Sequence, residues 1–125
     1  MVEIIFKELS YRINGILFST HNALGRFCRE KQYSDVIENF LKEAKIEYVR
    51  EKALPLPKID YQFTNRVDFD ISNKVLLEIK AKPLIGREDY AQINRYLDAS
   101  GYKLGIIVNF RNKYLKPIRV IRSHS

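Results

Sequence analysis

The fold is organised around residues 67–81, which read VDFDISNKVLLEIKA. Two short apolar runs flank the polar trio Ser72-Asn73-Lys74, and this pattern predicts a β-hairpin with a tight turn. In the first strand Asp68 and Asp70 alternate with apolar residues, so both carboxylates are expected on one face of the sheet. The second strand, Val75 to Ala81, is otherwise apolar enough to be an interior strand that is covered on both faces.

Two charged residues, Glu78 and Lys80, interrupt this second strand. Burying them would cost several kcal/mol unless they find partners. Asp68 on the neighbouring strand can provide one, and its carboxylate can also hold a divalent cation together with Glu78. Alternatively, Asp68 and Lys80 form a structural ion pair and Glu78 is a satisfied buried acid. Asp70 shares the face of Asp68 and competes with it as the ligand, although Asp70 is expected to lie nearer the turn and solvent.

Length and composition suit one domain that covers residues 1–125. The single cysteine, Cys28, excludes an intrachain disulfide framework. Together with the absence of a signal peptide, it indicates a reducing, cytoplasmic location. No apolar run approaches the roughly 20 residues of a membrane span, so no membrane partner is expected.

The formal net charge is +7, and the chain contains no Asp or Glu after Asp98. A basic end of this kind suits a polyanion such as nucleic acid, whereas the alternative is a merely solubilising surface. We assign phosphate contacts to four basic residues of this segment: Arg111, Lys113, Lys116 and Arg119.

The remaining elements follow from hydrophobic periodicity and from helix-ending and strand-ending residues. Gly15 within the first helix suggests close packing, and Gly25 ends that helix in a left-handed conformation. The order of elements predicts an α/β sandwich around a mixed sheet. The predicted elements are a helix from Glu8 to Leu24, a helix from Arg29 or Glu30 to Lys45, a strand from Glu47 to Leu54 followed by Pro55 and Pro57, a turn over 58–65, the central hairpin, a helix from Arg87 to Ser100 with Gly101 as its stop, a strand from Leu104 to Phe110, and an edge strand from Ile118 to Arg122.

Some polar residues on these helices are candidates for the site. Glu30 lies nearly in line with Ile37 on the apolar stripe of the second helix, although it could merely complement the helix dipole. Gln92 and Tyr96 are four residues apart on one face of the third helix; Gln92 is the better site candidate, and Tyr96 suits the core. His21 is expected to form a hydrogen bond at a helix end rather than to bind metal.

Asp68 followed by Glu78-Ile79-Lys80 resembles the active-site signature of the PD-(D/E)XK nuclease superfamily. Within that superfamily the chain resembles the small GxxExxY proteins, since it carries Glu30-Lys31-Gln32-Tyr33 as the Glu-x-x-Tyr element. It departs from their pattern at Phe27, where a glycine usually stands. Because Phe27 precedes the second helix, this departure affects how the chain enters that helix and therefore where the Glu30 side chain points. Further matching segments are Glu8-Leu9-Ser10-Tyr11, His21 with Leu24-Gly25, Arg66-Val67-Asp68-Phe69, Gln92 to Tyr96, Gly101-Tyr102-Lys103-Leu104-Gly105 and Asn109-Phe110.

The resemblance implies a restriction-endonuclease-like sandwich, in which a mixed central sheet is flanked by helices in the order ααβββαββ. It implies that Asp68 and Glu78 bind Mg²⁺ or Mn²⁺, with the Ile79 carbonyl as a third ligand, and that Lys80 serves the attacking water. The remaining roles are auxiliary: Glu30 as a nearby carboxylate, Gln92 approaching from the third helix, and Tyr33 and His21 in support.

We therefore expect a magnesium-dependent deoxyribonuclease, because divalent metals and a nearby lysine meet the needs of phosphodiester hydrolysis. Two alternatives remain: a non-catalytic nucleic-acid-binding module, and a protein-interaction domain that keeps the nuclease fold, with a homo-oligomer as one form of such an assembly.

Overall fold

A computed structural model of the chain describes residues 4–54 and 66–122. Within these ranges three helices and five strands follow in the predicted order, and the third helix has the predicted bounds. Pro55, Pro57 and the predicted turn over 58–65 lie outside the described residues. The elements are α1 (Lys7–Leu24), α2 (Glu30–Glu43), β1 (Tyr48–Ala53), β2 (Arg66–Ile71), β3 (Val75–Lys80), α3 (Arg87–Ser100), β4 (Leu104–Asn109) and β5 (Ile118–Ile121).

The strands form one mixed sheet in chain order, β1-β2-β3-β4-β5. Strands β3 and β4 are parallel, whereas the other neighbouring pairs are antiparallel. Helix α3 is the crossover that a parallel pair requires. The predicted α/β sandwich, a mixed central sheet flanked by helices, is confirmed.

Hydrophobic side chains on the two faces of the sheet form separate core clusters. Leu77 and Ile79 belong to the cluster formed with α1 and α2, whereas Leu76 belongs to the cluster formed with α3. Strand β3 is therefore covered on both faces, as its apolar sequence predicted. In the part of the chain that the structure describes, no helix is both long and apolar enough to cross a bilayer.

The turn between β2 and β3 has two central residues, Ser72 and Asn73, each with φ of 56°. The Lys74 N–H donates to the Ile71 carbonyl at 3.0 Å and closes the turn. Positive φ at both central positions is typical of the type I′ turn, whose twist matches that of a hairpin. In the register of the hairpin Ile71 lies opposite Val75, so three residues, Ser72 to Lys74, connect the paired strands.

Three glycines have different roles. Gly25 ends α1 with φ of 74° and donates to the His21 carbonyl at 2.8 Å. The expectation of close packing at Gly15 is wrong, because a Cβ there would meet nothing within 4 Å. Close packing occurs instead at Gly105, where a Cβ would lie 2.7 Å from Ile93 Cγ1. The bare backbone of β4 thus lets α3 approach the sheet.

The ends of several strands meet at one edge of the sandwich. Lys80, the last residue of β3, lies opposite Asn109, the last residue of β4. Strand β2 runs antiparallel to β3, so the first half of β2, with Asp68, lies at this same edge. The hairpin turn lies at the opposite edge.

Candidate active site

Two side-chain hydrogen bonds extend the pairing between β2 and β3 toward this edge. The backbone register ends at the pair Phe69–Leu77. Beyond it, Asp68 Oδ2 accepts from the Ile79 N–H at 2.7 Å, and Glu78 Oε1 accepts from the Asp68 N–H at 2.9 Å. Each carboxylate is therefore fixed by the backbone of the opposite strand. The structure brings these two predicted site residues together where the strands begin to separate.

The expectation that Asp68 and Asp70 share a face is wrong. Asp68 lines a cleft beside the start of α2, whereas Asp70 Oδ2 accepts from Lys52 at 2.6 Å and from Tyr102 at 2.8 Å. Asp70 is also 1% exposed, not near solvent as expected. The strict alternation breaks at Asp68. Val67, before it, packs toward α3, whereas Phe69, after it, packs toward α1 and α2.

Both carboxyl groups of the pair ionise with difficulty. Burial, followed by the charges of Glu30 and Glu51, raises the pKa of Asp68 to about 6, although the Ile79 hydrogen bond and Lys80 oppose the shift. Burial and the Asp68 charge raise the pKa of Glu78 to about 8. Both shifts disfavour the ionised carboxylates, and a bound cation would stabilise the ionised forms.

Lys80 extends from the same strand toward α3. Its Nζ donates to Gln92 Oε1 at 2.8 Å and lies 3.5 Å from Glu78 Oε2 and 3.7 Å from Asp89 Oδ1. Gln92 in turn donates from Nε2 to the Tyr96 hydroxyl at 3.2 Å. The amine is thus held beside the carboxylates by a residue of α3, which is where the sequence placed Gln92.

Sequence reasoning missed Asp89 and Asn109. Asp89, 4% exposed, is 2.6 Å from Lys82 Nζ and accepts from the Gly86 N–H at 2.8 Å. Although burial opposes it, the Lys82 hydrogen bond lowers the pKa of Asp89. Asn109 holds the backbone of Lys82 through its amide, at 3.1 Å and 2.7 Å. The Gly86-to-Asp89 spacing signals only a helix start, and the family resemblance includes Asn109 without assigning it a role.

Glu30 is the first residue of α2, exposed rather than buried with Ile37, and it lines a cleft of about 510 Å³ together with Asp68. Tyr33 secures the loop before it: its hydroxyl donates to the Gly25 carbonyl at 2.6 Å, and its ring stacks on Phe110 at 4.2 Å. This contact fixes where α2 begins and hence where Glu30 lies.

The remaining predicted site residues are His21 and the basic residues that follow β4. His21 Nε2 is 3.0 Å from the Asn112 carbonyl, which makes it a donor at the end of α1. Arg111 donates to the Ala81 carbonyl at 3.2 Å, next to Lys80. Lys113 and Lys116 are exposed.

Arg119 is not brought together with the other basic candidates. It lies opposite Ile106 within the sheet. Its guanidinium donates to Ser10 Oγ at 2.6 Å and to the Ile5 carbonyl at 2.9 Å, and so ties β5 to the start of α1.

The donor atoms at the strand end suit a hard cation. Within residues 4–54 and 66–122, no cluster of three or more His, Cys, Asp or Glu side chains is arranged to hold a metal ion. Two carboxylates are present, however, and Asp68 Oδ1 accepts no hydrogen bond from the described residues. Oxygen donors from carboxylates and a backbone carbonyl are the ligands that Mg²⁺ and Mn²⁺ prefer. The residues present therefore fit such an ion.

Comparison with known proteins agrees with this geometry. A family model described as the PD-(D/E)XK nuclease superfamily matches residues 7–121. No curated protein and no solved structure matches the chain. The mixed five-stranded sheet flanked by helices, as far as the chain is described, is consistent with a restriction-endonuclease-like fold.

Proposed function

We propose that this chain, which belongs to the PD-(D/E)XK nuclease superfamily, is a metal-dependent nuclease that hydrolyses phosphodiester bonds in DNA. Nucleases of the superfamily generally use divalent metals. The observation that carries the proposal is the convergence of Asp68, Glu78 and Lys80 at one strand end, where Asp68 lines an open cleft. The net charge of +7 supports a polyanionic substrate.

In this proposal Asp68, Glu78 and the Ile79 carbonyl hold Mg²⁺ or Mn²⁺. The ion, when bound, would supply a lowered pKa for water and neutralisation of phosphoryl charge. The two carboxylates are positioned in advance, because each accepts a backbone hydrogen bond from the opposite strand. Little reorganisation of the protein is then required when substrate arrives.

Lys80 supplies the positive charge of the chain itself. Its Nζ has three acceptors nearby, of which Gln92 is the closest at 2.8 Å. From this position the amine can donate a hydrogen bond to the attacking water or to a phosphoryl oxygen whose negative charge is increasing. Glu30, which lines the same cleft as Asp68, provides an exposed carboxylate that can accept a proton there.

The test is cleavage of supercoiled plasmid in Mn²⁺ and in Mg²⁺. Wild type is compared with Glu78→Gln and Lys80→Met, and the matched controls are Glu47→Gln and Lys42→Met, which change exposed residues away from this strand end. We expect both site variants to lose at least about a hundredfold in rate, since each removes charge that acts in the transition state. Equal rates in all five proteins would end the catalytic proposal.

A second candidate function is a nucleic-acid-binding module without turnover. It is favoured by the absence, among the described residues, of a cluster of three metal-binding side chains, and by the engagement of Lys80 with Gln92. Salt-dependent DNA binding without metal-stimulated cleavage in the wild type would identify this function.

Membership of the GxxExxY proteins is the finer part of the proposal. It is supported by the Glu30-to-Tyr33 element, in which Tyr33 anchors the loop that precedes Glu30. Phe27 departs from the pattern of that group, and the loop from Gly25 to Arg29 still brings Glu30 to the cleft that Asp68 lines.

A further inference from the structure

An exposed phenylalanine near the candidate site is contacted by two arginines. Phe27, in the loop between α1 and α2, is 76% exposed. The guanidinium carbon of Arg26 is 4.9 Å from the centre of its ring, and that of Arg111 is 5.7 Å away. The arginines are themselves linked, because Arg26 Nε donates to the Arg111 carbonyl at 2.7 Å.

This cluster is adjacent to the edge of the sheet that carries the candidate site. Arg111 donates to the carbonyl of Ala81, the residue after Lys80, at 3.2 Å. Phe27 stands three residues before Glu30, which lines the cleft. The cluster is therefore linked to the strand end by the Arg111–Ala81 contact, and its phenylalanine precedes by three residues the carboxylate of α2 that lines the cleft.

We propose that Phe27, with Arg26 and Arg111, is a stacking platform for an unpaired base of single-stranded nucleic acid. A base can stack on the exposed ring face, which has the sequence-tolerant geometry of single-strand binding sites. The arginines can contact the flanking phosphates. A base inside a duplex is already stacked and cannot use the ring. This inference rests on the proposed function in one respect, namely that the bound strand continues into the cleft.

Direct contact is tested with a fluorescent reporter at the platform. The chain contains no tryptophan, so Phe27→Trp introduces a single tryptophan, which can be excited selectively in the presence of the tyrosines. Emission is titrated with oligo(dT) and oligo(rU) of about 20 nucleotides, and with a duplex of the same length, in EDTA so that cleavage plays no part. We expect quenching by the single strands and little by the duplex. The two oligonucleotides show whether DNA or RNA is the better ligand.

The matched control is Tyr11→Trp. Tyr11 is an equally exposed aromatic residue of α1, at 80%, and its neighbour Ser10 contacts Arg119 of β5, so it lies apart from the platform. Its emission should not change. Independently, Phe27→Ala should weaken oligo(dT) binding about tenfold, measured by fluorescence anisotropy, and leave duplex binding within about twofold.

The outcomes separate the platform from the catalytic proposal. Unquenched Phe27→Trp, or unchanged single-strand affinity in Phe27→Ala, would overturn the platform whether or not the wild type cleaves DNA. Quenching with loss of affinity, in a protein that fails to cleave plasmid in Mn²⁺, would support the platform and end only the catalytic proposal.

Discussion

Replacing Glu78 with glutamine should stabilise the metal-free protein, and the gain should grow with pH. Glu78 is 4% exposed, and burial with the Asp68 charge raises its pKa from 4.5 to about 8. Above about pH 4.5 the unfolded chain has lost this proton, whereas the folded protein still binds it. The stability that the group contributes is therefore complete below about pH 4.5 and is lost as the pH rises through about 8.

The structure also bounds the size of this effect. One pKa unit corresponds to ~1.4 kcal/mol, so the wild type can lose at most that much for each pH unit. Glutamine keeps an acceptor for the Asp68 N–H, which is 2.9 Å from Oε1, but carries no charge. The attraction of Lys80, at 3.5 Å, limits the rise of this pKa and so limits the gain. We expect the variant to gain about 2–3 kcal/mol over the wild type between about pH 5 and about pH 8.

The assay is urea denaturation in EDTA across this pH range, with Glu47→Gln as the exposed control, whose stability should follow the wild type. Added Mn²⁺ should then stabilise the wild type, more strongly at higher pH because ligands must lose protons to bind, and should have little effect on Glu78→Gln. A variant less stable than the wild type at about pH 8 would show that Glu78 and Lys80 form a stabilising ion pair, and the reasoning from buried charge would be refuted.

Two further substitutions test the assignment of the ligand and the packing behind the site. Asp70→Asn should cost about 1–3 kcal/mol in urea denaturation, because it weakens the contacts with Lys52 and Tyr102, yet it should leave metal-dependent cleavage intact; a folded variant without cleavage would make Asp70 the ligand. Gly105→Ala should cost about 1–3 kcal/mol in thermal melts, since the new methyl group meets Ile93, whereas Gly15→Ala should gain up to about 1 kcal/mol; equal effects would mean that β4 and α3 are not closely packed.

Most of the fold could be predicted because its signals are local. The apolar run of β3 predicts an interior strand, and the structure buries it on both faces. The polar trio after Ile71 predicts a tight turn, and Ser72 and Asn73 adopt the positive φ that such a turn requires. Each of these predictions depends on residues within a few positions of one another. Such a prediction holds as long as the tertiary contacts do not override the local preference.

The site was less predictable because its geometry depends on where backbone pairing stops. Strict alternation along β2 predicts one face for Asp68 and Asp70, but the two separate where side chains take over the pairing at Asp68. The approach of α3 depends on Gly105, whose missing Cβ admits Ile93 and so brings the adjacent Gln92 to Lys80. A sequence pattern predicts neither where the pairing of β2 with β3 stops nor how closely α3 approaches the sheet.

The two aspartates of β2 show how a structural ion pair differs from a candidate metal site within one hairpin. Asp70 has a lysine at 2.6 Å and a hydroxyl at 2.8 Å, and both donate to the same oxygen. Asp68 has a backbone N–H and a second buried carboxylate as its neighbours, and Lys80 approaches Glu78 only to 3.5 Å while donating to Gln92. Lys80 is within ion-pair distance of Glu78 but is shared with Gln92 and Asp89, so it compensates the second arrangement less closely than Lys52 compensates the first. Without a bound cation Glu78 keeps its proton up to about pH 8, and the cost of ionising it is the one that Glu78→Gln should recover.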